Sequence, residues 1–134
     1  MIGIDTNVLL RFFEADDDAE QTAAARQLVR DRAPVFVNPI VLAEFAWTLR
    51  RTFKLDRAAV CDRLASIAEA TEFKLAYPEA IGRAVRQYET GMADFSDYLI
   101  GELNAVFGCD ATLTFDKAAA KNPAFRHLPF EGAR

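Results

Sequence analysis

Apolar residues along this chain fall in short runs separated by longer stretches of helical period. Residues 2–5, within Met1-Ile2-Gly3-Ile4-Asp5, read as a short buried strand, and residues 6–13 (TNVLLRFF) as a helical turn. Residues 17–32 form a helix beginning in the acidic run Asp16-Asp17-Asp18. Ala33-Pro34-Val35-Phe36-Val37 is a second strand, ended by Asn38-Pro39, and Pro39 suits the first turn of a helix running to about Phe53. A further helix spans roughly 56–71, with Asp56 as its N-cap. Phe73-Lys74-Leu75-Ala76 is a short strand, and Pro78 starts a helix ending near Gly91. Residues 94–107 are helical and closed by Gly108, followed by the strand Ala111-Thr112-Leu113-Thr114-Phe115. A short helix after Asp116 and a final edge strand around His127-Leu128-Pro129 complete the chain. Strands alternating with helices predict an α/β fold, a mostly parallel sheet of about five short strands with helices on both faces.

At 134 residues, with no repeat, low-complexity segment or long Gly/Ser linker, the chain is expected to be one domain over residues 1–134. A hydrophobic fraction of 51% and a charged fraction of 27% are those of an ordinary globular protein. Cys61 and Cys109 form no CxxC and are expected to be small buried residues in a reducing compartment. No basic segment precedes an apolar N-terminal run, and no window approaches the ~18 apolar residues of a membrane span, so a cytoplasmic location is expected. The net charge of −4 counts against a plain nucleic-acid binder, whose affinity comes largely from neutralising phosphate. It counts less against a nuclease whose acids are offset by bound cations.

Four acids carry the chemistry: Asp5, Glu44, Asp97 and Asp116. Each stands where a strand gives way to a helix, or inside the helix that follows. Ligands of open parallel sheets bind beyond the carboxyl ends of the strands, so these acids can converge. Gathered carboxylates repel unless a cation offsets them, and hard oxygen ligands suit Mg²⁺ or Mn²⁺. His127 is the one histidine, which argues against a histidine-based zinc site and for a structural role. Asp5 and Asp116 could equally be helix caps.

At about 100° per residue the helix from Pro39 gathers Val41, Leu42, Phe45, Ala46, Leu49 and Phe53 on one arc. Glu44 falls opposite, with Ile40, Trp47 and Arg51, an unusually apolar setting for a solvent face. In the helix from Asp94, Phe95, Leu99, Ile100, Leu103, Val106 and Phe107 form the expected core stripe. Asp94, Asp97 and Gly101 lie on the other side. Asp94 would cap that helix while Asp97 turns outward to a cation. Thr114 and Asp116 could face one side of their strand. Arg11, Arg50, Arg51 and Lys54 could meet phosphate, or be charged helix surface.

The combination Ile4-Asp5-Thr6-Asn7-Val8-Leu9-Leu10-Arg11, Val41-Leu42-Ala43-Glu44-Phe45, Asp94-Phe95-Ser96-Asp97-Tyr98-Leu99-Ile100 and Thr112-Leu113-Thr114-Phe115-Asp116 closely resembles PIN-domain ribonucleases. More narrowly, it resembles the VapC toxins of toxin–antitoxin pairs. The resemblance runs from residue 2 to about residue 128. It implies an endoribonuclease in which Asp5, Glu44, Asp97 and Asp116 hold one or two Mg²⁺ or Mn²⁺ ions, with Asp94 and Thr114 as accessory residues. Asp5 and Asp97 would be principal ligands, Asp116 would complete the site, and Glu44 would serve a second cation or orient water. It further implies an RNA substrate, a VapB-like antitoxin partner and homodimers. Ile40 and Trp47 offer a groove for an antitoxin helix.

Two other readings stay open. A haloacid-dehalogenase-type phosphatase also starts from a strand-end aspartate but needs a second one where this chain has Asn7. A non-catalytic interaction domain would use all these acids as caps and solvated groups.

Overall fold

Asp5 ends the first strand and caps the first helix in the computed structural model, which describes residues 1–14 and 18–129. The chain divides into two compact units, Met1–Pro78 and Glu79–Arg134.

The first unit runs β1 (Gly3–Ile4), α1 (Thr6–Phe13), α2 (Ala19–Arg32), β2 (Val35–Val37), α3 (Pro39–Arg51), α4 (Arg57–Glu69) and β3 (Phe73–Leu75). Its strands form a parallel sheet in the order β1-β2-β3, with Gly3 opposite Phe36 and Val35 opposite Phe73. Local chemistry explains the helix starts. Asp18 Oδ1 accepts the Gln21 N–H, Asn38 Oδ1 the Ile40 N–H and Asp56 Oδ1 the Ala59 N–H, each satisfying a donor that lacks an intrahelical acceptor. Asp16 and Asp17, also expected at the start of α2, lie outside the described residues. The core holds Leu9, Val29, Val35, Val37, Leu42, Phe45, Leu49, Val60 and Ile67. Phe12 and Phe13 meet Phe73 at ring separations of 5.2 and 6.0 Å, tying α1 to β3. Glu14, just past α1, accepts Arg63 Nε of α4 at 2.7 Å.

The second unit continues α5 (Pro78–Thr90) into α6 (Phe95–Val106), β4 (Thr112–Thr114), a 3-10 turn (Ala119–Lys121) and β5 (Phe125–His127). β4 and β5 pair in parallel, Thr112 opposite Phe125. The expected α/β architecture and parallel pairing are present. The five strands form a three-stranded and a two-stranded sheet rather than one. β5 lies two residues earlier than expected, because Pro129 has no N–H to offer a ladder.

α6 departs from its expected stripe. Ile100, Val106 and Phe107 are exposed, Phe107 by 72%, while Phe95, Tyr98, Leu99, Gly101 and Glu102 are buried. Two contacts turn the helix this way. Arg83 Nε of α5 donates to Glu102 Oε1 at 2.6 Å, so the carboxylate enters the interior paired. Gly101 lets the Phe125 ring approach the helix closely, where an added Cβ would stand 2.6 Å from its Cε2. Gly108 follows the helix at φ +90°, a conformation that favours glycine.

Cys61 is buried as expected, but Cys109 is exposed, because it follows the helix end at Gly108 instead of entering the core. Among the described residues, no helix is long and apolar enough to cross a membrane.

Candidate metal centre

In the first unit, the extended backbone of Asp5 turns its carboxylate onto the start of α1, and Oδ1 accepts the Val8 N–H at 3.0 Å. The next residue, Thr6, donates its hydroxyl to Glu44 Oε1 on α3 at 2.7 Å. The residue next to Asp5 thereby holds Glu44, a second predicted site acid, across 38 positions of sequence. α3 places its residues as the periodicity predicts: Val41, Leu42, Phe45, Ala46 and Leu49 are buried, and Glu44, Ile40 and Trp47 are exposed. Arg51 lies over the Trp47 ring at 5.2 Å.

In the second unit, Asp94 and Asp97 form a capping box at the start of α6. Asp97 Oδ2 accepts the Asp94 N–H at 3.2 Å. The Asp97 N–H donates to the Asp94 carbonyl oxygen at 3.0 Å. The Asp97 side chain therefore folds back on its helix instead of turning wholly outward, because its carboxylate satisfies an amide at the helix start.

Desolvation by burial pushes the Asp97 carboxyl above its ordinary value. The hydrogen bond from Asp94 N–H works the other way, and the charges of Asp116 and Asp94 add to the rise. Asp116 follows β4 rather than belonging to it. Its N–H donates to Thr114 Oγ1 at 2.9 Å, and its Oδ1 accepts the Ala118 N–H at 2.8 Å. His127 Nε2 lies 3.0 Å from the Phe115 carbonyl oxygen.

The four acids share one feature. Each uses one carboxylate oxygen to accept a protein hydrogen bond: Asp5 Oδ1, Glu44 Oε1, Asp97 Oδ2 and Asp116 Oδ1. Among the described residues, none of the four is in an ion pair with lysine or arginine. Such donors fit a hard divalent cation. As placed, however, no three His, Cys, Asp or Glu side chains among the described residues gather closely enough to hold an ion. Thr6 was not singled out by its sequence. A hydroxyl residue directly after a strand-end aspartate was the available signal.

Two of the basic candidates, Arg50 and Arg11, donate to groups within the protein. Arg50 donates to the Leu55 carbonyl oxygen at 3.1 Å, and Arg11 Nε to Gln21 Oε1 at 2.8 Å. Arg11 and Gln21 line a hollow of about 340 Å³ beside Asp5.

Parallel strands succeeded by helices, with the carboxylates of Asp5 and Asp97 at helix starts, define an α/β protein equipped with hard oxygen donors. The pattern of the PIN domain matches residues 2–124, and the chain belongs to the PIN domain family. PIN domains are generally metal-dependent nucleases. No curated protein matches the chain significantly.

Proposed function

We propose that this protein is a Mg²⁺- or Mn²⁺-dependent endoribonuclease and the toxin of a VapBC-type pair, acting in the cytoplasm as a homodimer of single-domain chains. The observation that carries the nuclease reading is the common state of the four acids. Each has one oxygen tethered by the protein, and none has a cationic partner among the described residues. A carboxylate so held is oriented before a cation arrives, and its second oxygen remains as a ligand.

Asp5 and Asp97 act as principal ligands, Asp116 completes the site, and Glu44 serves a second cation or orients water. Thr6 positions Glu44, Thr114 steadies the Asp116 backbone, and Asp94 holds Asp97 through its N–H. When bound, divalent cations lower the pKa of water for attack on phosphorus and stabilise charge on the phosphoryl oxygens. The exposed pair Ile40 and Trp47 supports an antitoxin helix as the partner, since such a helix docks through apolar anchors.

The test is cleavage of a structured RNA by the purified chain. Cutting with Mg²⁺ or Mn²⁺, arrest in EDTA and loss of cutting in Asp97→Asn are expected. Equal cleavage in chelator would refute the mechanism. The phosphatase reading is weaker, because the position two residues after Asp5 is an amide, Asn7.

A further inference from the structure

The hollow beside Asp5 has a chemistry that the four acids do not use. It lies within the first unit between α1 and α2. Val8, Ala24, Ala25 and Leu28 give it apolar walls, and the two alanines contribute only methyl groups, leaving room above α2. Asn7, Arg11 and Gln21 supply the polar groups, and Asp5 stands with them. A volume of about 340 Å³ lies at the small end of ligand sites, and apolar walls with a few placed polar groups are their usual composition.

We propose that this hollow receives one nucleobase of single-stranded RNA, from the nucleotide next to the phosphate being cut. The inference rests on the nuclease reading above and adds a specificity site to it. A base released from its stack presents two flat apolar faces and an edge of donors and acceptors. The apolar walls meet the faces. The amides of Asn7 and Gln21 carry both donors and acceptors and match such an edge. Arg11 Nε donates to Gln21 Oε1 at 2.8 Å, which holds guanidinium and amide in one relative orientation. The Arg11 guanidinium in the lining is of a kind that suits the phosphate every nucleotide brings with its base. Because Asp5 both belongs to the proposed metal set and lines the hollow, a base seated there belongs to a nucleotide adjoining the reacting phosphate. The hollow therefore governs which RNA sequence is cut, and the acids govern whether it is cut.

Binding to the whole chain, labelled with ¹⁵N and kept in EDTA, separates this inference from the nuclease reading. The four nucleoside 5′-monophosphates are titrated beside ribose 5-phosphate, which lacks the base, and N-acetyl-leucinamide, which mimics an apolar protein side chain. At least one nucleotide is expected to shift the amide signals of Asn7, Gln21 and Ala24, with neither control doing so. Ala24→Trp, which fills the hollow from an exposed position on α2, should weaken that binding about tenfold or more. Gln21→Leu should weaken it without filling space, which keeps the test decisive if the tryptophan variant folds poorly. Equal shifts with ribose 5-phosphate would reduce the site to anion capture, and equal shifts with N-acetyl-leucinamide would assign it to a protein partner. Either result overturns the proposal, as does binding by no nucleotide. If the wild-type chain cuts RNA, Ala24→Trp should also redistribute the cut positions, and an unchanged cleavage pattern counts against the base site alone.

Discussion

Replacing Asp5, Asp97 or Asp116 by asparagine, or Glu44 by glutamine, keeps an oxygen for the protein hydrogen bond and removes the charge a cation needs. Each such variant is expected to melt within about 1 kcal/mol of wild type in EDTA and to lose cleavage in Mg²⁺. Thermal melting run beside cleavage rates checks both halves; a variant that folds normally and still cuts at the wild-type rate removes its residue from the site. For Asp97 the direction of the pH effect follows from its environment. Burial, with the charges of Asp116 and Asp94, holds its carboxyl above the ordinary value of 3.8, so the folded state binds this proton more tightly than the unfolded chain does. Its contribution to stability is thus fully present below 3.8 and is lost as pH rises through the folded value. Asp97→Asn removes that dependence, so in EDTA the variant should gain on wild type as pH rises from 3.8 towards neutrality. A difference in melting temperature that is flat with pH would show that burial and the neighbouring charges do not hold the Asp97 carboxyl above its ordinary value. Thr6→Val tests the missed residue, and its lost hydroxyl should cost up to about 1 kcal/mol and lower activity only in part.

Helix starts were legible because one residue type announces them. Asp56 and Asp94 stand at the N-caps expected of them, and Asp18, the last of the acidic run, caps α2. The buried face of α3 was equally legible from its period. That of α6 was not, because hydrophobicity alone ranks Ile100 and Phe107 above Tyr98 and Glu102. What reverses the order is long-range: Arg83 pairs with Glu102 across 19 positions, and Phe125 arrives from β5 to use Gly101. Strand pairing was also out of reach, since strands of two or three residues carry too little alternation to select a neighbour. Gly101→Ala tests the α6 packing. Its Cβ would press on the Phe125 ring, and a loss of about 1–3 kcal/mol in denaturant unfolding is expected. A neutral result would mean that β5 shifts readily.

At the scale of the whole molecule, the family pattern runs through residues belonging to both compact units, from residue 2 to residue 124. The candidate acids were singled out from their order along the chain, whereas the tethering of each depended on amide and hydroxyl donors visible only in the folded chain. Partner binding belongs to this scale as well. If Trp47 is a central anchor for an antitoxin helix, Trp47→Ala should weaken that complex by about 2 kcal/mol or more, measured by calorimetry. An unchanged affinity would move the docking face elsewhere.

Trp47 is also the chain's only tryptophan, and it sits 57% exposed beneath the Arg51 guanidinium. All indole emission therefore originates from one place, the outer face of α3 a turn from Glu44. Anything that covers that face or draws Arg51 away changes the colour and intensity of a single fluorophore. The protein thus carries its own optical probe, able to report an arriving partner without a label.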